Sequence, residues 1–153
     1  MPKLILMRGV SGSGKSTLAK QIAHEVYPDV VVLSTDDHFY VNNKYLYKPE
    51  CLAEYHGRTQ LEAAQAMAAG VGHVIIDNTN TQSWEMKPYV ELAIQHGYNV
   101  EFRSPPAITF EELMARQELR REENKCLPAE VLKRQLDRFE QNVTVRSILQ
   151  SRR

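Results

Sequence analysis

Cysteine is scarce in this 153-residue chain: only Cys51 and Cys126 are present, far apart and in no C-x-x-C spacing. A disulfide framework is excluded, and a reduced cytoplasmic protein without a structural disulfide is the expectation. Long apolar runs are missing too. No segment stays apolar over the length of a membrane span, and Leu4–Met7 is too short for a signal peptide, so no membrane partner is expected. Neither sign of charge prevails, with 19 Lys and Arg against 19 Asp and Glu, so no global field recruits nucleic acid. The balance conceals an asymmetry: residues 1–115 hold 9 basic against 13 acidic side chains, and residues 116–153 hold 10 against 6. Repeats and low-complexity tracts are absent, and His24, His38, His73 and His96 fall in no metal-ligand spacing. The length fits one domain, residues 1–153, large enough for a proper core.

The most informative stretch is Gly9-Val10-Ser11-Gly12-Ser13-Gly14-Lys15-Ser16-Thr17, which matches G-x-x-x-x-G-K-[ST], the phosphate-binding (Walker A) loop. Its surroundings are the required ones. Leu4-Ile5-Leu6-Met7 suits a strand buried on both faces, and Thr17 to Val26 reads as a helix. Glycines at 9, 12 and 14 let the loop turn consecutive N–H groups, with Ser11 and Ser13 among them, inward at phosphate oxygens. The helix N-terminus at Ser16 and Thr17 adds its positive dipole end, and Lys15 is suited to neutralise β- and γ-phosphates. The Ser16 hydroxyl would complete a Mg²⁺ shell. The alternative is a Gly/Ser-rich turn ahead of an ordinary helix. The strand before and the helix behind favour binding of a nucleoside triphosphate.

Downstream, Pro28 and Asp29 punctuate, and Val30 to Leu33 predicts a second buried strand ending at Ser34-Thr35-Asp36-Asp37. Residues 38–49, with tyrosines at 40, 45 and 47, lack a clear period and read as a loop. A helix is predicted from about 50 to 69, stopped by Gly70 and Gly72, and Val74-Ile75-Ile76 is a third strand running into Asp77-Asn78-Thr79-Asn80. Ser83 is the expected cap of a helix over 84–96, with Gly97 at its stop. Asn99 to Arg103 is a weaker fourth strand. Thr109-Phe110-Glu111-Glu112 opens a helix through about Glu122, and Pro128 suits the first turn of a last helix reaching about Gln141. The tail from Asn142 is ambiguous between a short strand and a frayed helix. Strands alternating with helices predict an α/β fold whose mainly parallel sheet of four or five strands is covered on both faces, with the site at the strand C-termini.

Asp36 and Asp37 follow the second strand directly. A phosphoryl acceptor loses a proton as its oxygen bonds to phosphorus, and a carboxylate in hydrogen-bond range can take it. Asp36 is the candidate base. Asp37 reads as pointing away or capping the next turn, with substrate contact as the alternative; either acid could simply be solvated. Asp77, closing the third strand, has the usual context of an acid that holds Mg²⁺, and turn capping is its alternative. Asn78, Thr79 and Asn80 serve a substrate or build an Asx-type turn, and spacing leaves both open. Arg116 and Arg120 share a helix face. Planar, permanently charged donors suit charge spreading over γ-phosphate oxygens, while a solvated face partnered by Glu118, Glu122 and Glu123 is equally open. His56 and Gln60, four apart, form a polar face toward a substrate or a surface pair. Trp84 and the tyrosines read as core or loop packing rather than base-stacking platforms.

At these residues the chain resembles the P-loop kinases related to the phage polynucleotide 5′-kinase, and is most similar to their Nedd4-binding-protein-2-like branch. The matching pieces are Arg8 to Thr17, Thr35-Asp36-Asp37 with Phe39, and His56 with Gln60. The longest runs from Val74 to Tyr98 and includes Asp77-Asn78-Thr79-Asn80-Thr81, Trp84-Glu85-Met86, Pro88-Tyr89 and His96-Gly97-Tyr98. Arg116 with Arg120, Leu127-Pro128 and Arg138-Phe139-Glu140 complete it. The resemblance implies a three-layer α/β/α P-loop kinase fold with a helical lid over about residues 110–128. It also implies ATP and Mg²⁺ as cofactors and phosphoryl transfer to a 5′-hydroxyl of RNA or DNA. Asp36 becomes the general base and Arg120 the lid arginine, acting beside Lys15. Two positions depart from the pattern. Phe39 stands where the phage enzyme has an arginine that helps hold the substrate phosphate, and Asn78 stands where an acid precedes Thr-Asn, with Asp77 one place earlier. No D-x-D-x-T motif is present, so no phosphatase activity is expected. Asn43-Lys44 and Asn124-Lys125 lack the aspartate of the guanine-reading N-K-x-D pattern, which argues against a GTPase. Besides ATP, the expected partner is the 5′ end of a single-stranded nucleic acid or a small hydroxyl-bearing metabolite. A nucleotide-switched ATPase or binding module is the reading from a different class.

Overall fold

Three short apolar runs and a fourth, mixed strand, Asn99-Val100-Glu101-Phe102-Arg103, form the central sheet of the molecule. The computed structural model describes residues 1–153. In chain order the elements are β1 (Lys3–Met7), α1 (Lys15–Val26), β2 (Val30–Leu33), β3 (Tyr40–Val41), β4 (Lys44–Tyr45), α2 (Leu52–Ala68), β5 (His73–Ile76), α3 (Ser83–His96), β6 (Asn99–Arg103), α4 (Phe110–Leu119), α5 (Ala129–Arg138) and α6 (Val145–Leu149). Single 3₁₀ turns lie at Thr35–Phe39, Pro49–Cys51 and Arg121–Glu123. The main sheet has the order β2-β5-β1-β6 with every neighbouring pair parallel, so the predicted parallel sheet has four strands.

Alternation along the strands sorts the core into two sides. Leu4 and Leu6 of β1 and Val74 and Ile76 of β5 meet Met67 of α2, Tyr89 of α3 and Ile148 of α6. Ile5, Met7 and Ile75 turn the other way, onto Ala19 and Ile22 of α1. Helices on both faces make three layers, and double burial is why these strands read as continuous apolar runs. The helices present matching stripes: Thr59, Ala63 and Met67 of α2 are buried at every fourth position. Gly70 (φ 77°) and Gly97 (φ 75°) adopt the left-handed conformation that ends α2 and α3. Because all four strands are parallel, β1, β2 and β5 deliver the loops after Met7, Leu33 and Ile76 to one edge of the sheet.

Several local expectations are corrected. Residues 38–49 are not an irregular loop: β3 and β4 pair as an antiparallel hairpin through Asn42 and Asn43, whose φ angles of 51° and 65° suit a tight turn. Ser83 does not cap α3. Its hydroxyl donates to Glu140 Oε2 at 2.6 Å, and Glu140 Oε1 accepts from the Ser83 backbone N–H at 3.0 Å, so a distant carboxylate serves that helix end. Thr109 does cap α4, accepting from the Glu112 N–H at 3.1 Å, but the helix ends at Leu119 rather than Glu122. The last predicted helix stops at Arg138 rather than Gln141, and the ambiguous tail forms α6, entered through a capping box between Thr144 and Ser147. No helix is long and apolar enough to cross a membrane, and Cys51 and Cys126 are both free thiols.

Candidate active site

The phosphate loop closes β1 and opens α1, which begins at Lys15, two residues earlier than the pattern suggests. Gly14 (φ 97°) caps α1 in a left-handed conformation, and Gly12 (φ 86°) makes the other sharp turn. No acidic side chain occupies the first turn of α1, so nothing offsets the positive helix end. Ser16 and Thr17 are exposed there. Gly9 is buried, its N–H donating to the Thr79 carbonyl at 3.1 Å. Lys15 Nζ lies 2.7 Å from Asp77 Oδ1, and both side chains are largely buried.

The α4 segment covers this loop. Arg116 Nη1 donates to the Gly12 carbonyl at 3.2 Å, and Gln117 Nε2 donates to the Ser11 carbonyl at 2.9 Å. Fully buried Gln117 also accepts from the Leu127 N–H through Oε1 at 3.2 Å, while Gln135 Oε1 of α5 accepts from the Ser11 N–H at 2.9 Å. A Cβ built on Gly12 would lie 2.5 Å from Gln117 Nε2 and 3.4 Å from Arg120 Nη1, so this glycine permits the close approach. Two donors are left over. Ser13 Oγ and Arg120 Nη1 are buried without a hydrogen-bond partner. A buried donor in that condition is costly, and a polyanion seated against the loop would satisfy both.

On the acceptor side, Asp36 and Asp37 are exposed on the 3₁₀ turn after β2. Tyr45 of the hairpin donates its hydroxyl to Asp36 Oδ1 at 3.3 Å. Burial pushes the Tyr45 phenol pKa up, Asp36 adds to the shift and the Arg120 charge opposes it. Desolvation of part of the Asp37 carboxyl raises its pKa, the Lys125 charge opposes, and the Asp77 and Asp36 charges add to the rise. Thr35 Oγ1 stands 3.2 Å from His56 Nδ1 and 3.0 Å from Thr59 Oγ1, and the Thr35 N–H donates to Asn78 Oδ1 at 2.9 Å. His56 thus reaches the loop that carries Asp36. Gln60 does not; it lines a groove between α2 and α3 with Pro88 and Leu92.

The residues after Asp77 hold the backbone of other segments. Asn78 secures Thr35, and Thr79 secures Gly9. Asn80, read as a candidate substrate residue, is 1% exposed with φ 48°, its Nδ2 donating to the Met7 carbonyl at 2.7 Å. Both asparagine side chains thus bond distant backbone rather than the local N–H of an Asx-type turn. The residue pattern missed Arg8, Gln117 and Gln135. Buried Arg8 donates from Nε to the Asn80 carbonyl at 2.9 Å and from Nη2 to the carbonyls of Thr81 at 3.1 Å and Glu140 at 2.8 Å, with its guanidinium 4.4 Å from the Phe139 ring centroid. Arg8 sits immediately before the phosphate-loop motif and ends an apolar run, which is the one sequence signal it gives.

Comparison with known proteins adds context to this geometry. A family model described as an AAA domain matches residues 4–142. NEDD4-binding protein 2 of Homo sapiens is 41% identical over 148 residues, which is 97% of this chain but 8% of that protein. A chain in the structure of the Pnkp1/Rnl/Hen1 RNA repair complex superposes with a TM-score of 0.72 at 23% identity, covering 90% of this chain and 44% of that one. A sugar kinase from Janibacter sp. gives a TM-score of 0.62 at 18% identity, covering 97% of this chain and 91% of that one. These structural likenesses establish a fold held in common with P-loop kinases. The chain spans 8% of the length of NEDD4-binding protein 2 and 44% of the chain from the RNA repair complex.

Proposed function

This chain belongs to the AAA domain family, and on that premise we propose that it is an ATP-dependent kinase that phosphorylates the 5′-hydroxyl of a polynucleotide. Residues 1–153 act as one kinase domain, with residues 110–128 as its lid. The observation that carries the reading is the pair of orphaned buried donors, Ser13 Oγ and Arg120 Nη1, at the phosphate loop, with Asp36 on the turn after another strand that ends on the same side of the parallel sheet. The likeness to a chain of an RNA repair complex, with the resemblance to the polynucleotide 5′-kinases, supports a nucleic-acid acceptor.

The proposed reaction moves one phosphoryl group. The acceptor oxygen bonds to the γ-phosphorus, the bond from that phosphorus to the β,γ-bridging oxygen breaks, and ADP leaves. Asp36 takes the proton from the acceptor hydroxyl, and Tyr45 holds its carboxylate in place. Arg120 and Arg116 bring positive charge to the γ-phosphate oxygens, where charge develops. The oxygen donors Ser16 and Asp77 fit Mg²⁺, which needs few protein ligands when phosphates complete its shell. Bound there, the ion would neutralise phosphate charge. Lys15 then exchanges Asp77 for the β- and γ-phosphates.

Transfer from γ-labelled ATP to a panel of 5′-hydroxyl RNA and DNA strands tests the reading. Label is expected on the 5′ end, with Asp36→Asn slower by about a hundredfold or more. No transfer beyond a Lys15→Ala control, or an Asp36→Asn variant as active as the parent, would reject it. Turnover of a small hydroxyl compound with no strand labelled would point to a metabolite kinase, and slow ATP hydrolysis with no phosphorylated acceptor to a nucleotide-switched module.

A further inference from the structure

The β3–β4 hairpin has a property that the phosphoryl chemistry leaves unused. Phe39, 2% exposed, is the centre of an aromatic group. Tyr55 of α2 stands edge-on to it at 4.7 Å between centroids, Tyr47 is tilted at 5.0 Å and Tyr45 stands edge-on at 6.0 Å. Tyr40 extends the group, packing edge-on against Tyr45 at 5.4 Å. Packing accounts for the inner rings but not the outer ones: Tyr40 is 40% and Tyr47 50% exposed. The sequence reading of these tyrosines as loop packing therefore fits only part of the group. The rim is basic. Lys125 Nζ lies 4.9 Å from the centroids of both Tyr40 and Tyr45, and Lys44 and Lys48 are exposed on the same segment.

The position matters as much as the composition. Tyr45 reaches Asp36 through its hydroxyl, and Tyr40 lies one ring beyond Tyr45. In a nucleotide the base likewise stands one sugar beyond the 5′-oxygen. Aromatic faces flanked by cations are how single strands are held without sequence preference, because every base has a π-face.

We infer that Tyr40, backed by Tyr45 and Lys125, is the stacking platform for the acceptor's terminal base. The inference rests on the kinase reading above and narrows its substrate class to single-stranded 5′ ends with an unpaired terminal base. A sugar or polyol has no π-face to offer this surface. Because Lys125 comes from the lid, and Asn124 Nδ2 donates to the Tyr45 carbonyl at 3.5 Å, the platform is complete when the lid tip rests on the hairpin.

The test compares a short 5′-hydroxyl single strand with the same strand carrying an abasic 5′-terminal nucleotide. Both are measured by labelled-ATP transfer and by fluorescence anisotropy on the nucleotide-free protein. The abasic strand is expected to show a KM and a Kd weaker by about tenfold. Tyr40→Ala is expected to bring both strands to the weaker value, whereas Tyr40→Phe keeps the difference; nucleotide affinity measured on each variant reports folding. Equal affinity of the unaltered protein for the two strands, or a Tyr40→Ala variant that still distinguishes them, would overturn the platform. The two readings fail separately. Absence of transfer to every acceptor counts against the kinase, while anisotropy needs no turnover and decides the platform alone.

Discussion

His56 shows how burial sets the chemistry of a single side chain. Its Nδ1 faces Thr35 Oγ1 at 3.2 Å, and burial pulls the imidazole below its ordinary 6.5, with the Asp36 charge opposing. The unfolded chain therefore takes up this proton more readily than the folded one. The stability that neutral His56 contributes is intact above the unfolded value and is lost as pH falls through the lowered folded value. Urea unfolding measured from neutral pH down to about 5 is expected to show stability falling, and His56→Gln is expected to flatten that slope. An unchanged slope in the variant would assign the titration to another group. Asp37 illustrates the opposite sign, since burial lifts a carboxyl that Lys125 only partly steadies.

Among the elements, α6 is the one whose importance its size conceals. It has five residues, yet Ile148 is fully buried among Leu4, Tyr89, Val90 and Ala93, and Lys87 Nζ of α3 donates to the Ser151 carbonyl at 3.1 Å. Ile148→Ala is expected to lower unfolding free energy by about 2–5 kcal/mol, read from the urea midpoint at constant m-value. A loss under about 0.5 kcal/mol, the scale of a neutral surface substitution, would show that the tail is merely laid on the surface. The contrast with the sheet explains what the sequence revealed. Leu4 to Met7 and Val74 to Ile76 are buried on both faces, and the composition of such strands is itself the signal. Val30 to Leu33, expected to be buried, is the edge strand, and only its Leu33 is buried. Five residues of α6 are too few for a 3.6-residue period, and two-residue strands such as β3 and β4 are too short for alternation. The paired asparagines 42 and 43 between tyrosines were the available hairpin signal. The candidate site divides along the same line. The phosphate loop is local and was legible, as were the strand-end acids. Arg8, Gln117, Gln135 and the Glu140 carboxylate act across the fold, and no local pattern announces a long-range partner.

Across the whole molecule, Arg8 joins three stretches that the chain keeps far apart. It binds the carbonyls of Asn80, Thr81 and Glu140, and the Glu140 N–H donates back to the Thr81 carbonyl at 2.8 Å. Burial lowers the arginine's pKa, and the charges of Glu140 and Glu85 oppose that shift. Arg8→Met keeps most of the volume but leaves the carbonyls of Asn80 and Glu140 without their donor, the Thr81 carbonyl keeping only the Glu140 N–H, and removes the positive charge beside Glu140 and Glu85. It is expected to cost about 3 kcal/mol or more in urea unfolding and to weaken nucleotide binding in parallel. A variant of near-normal stability would mean that water replaces the guanidinium.

The span of these contacts bears on how the protein is made. Arg8 and Glu140 are 132 residues apart, and Ser11 and Gln135 are 124 apart. A growing chain leaves the ribosome with its phosphate loop ahead of Gln117, Gln135 and Glu140, which brace that loop and the turn beside it and follow much later. Until they arrive, the glycines that let the loop wrap a phosphate also leave it free to take other shapes. The motif is translated before its braces, and the capacity to grip a nucleotide waits for them.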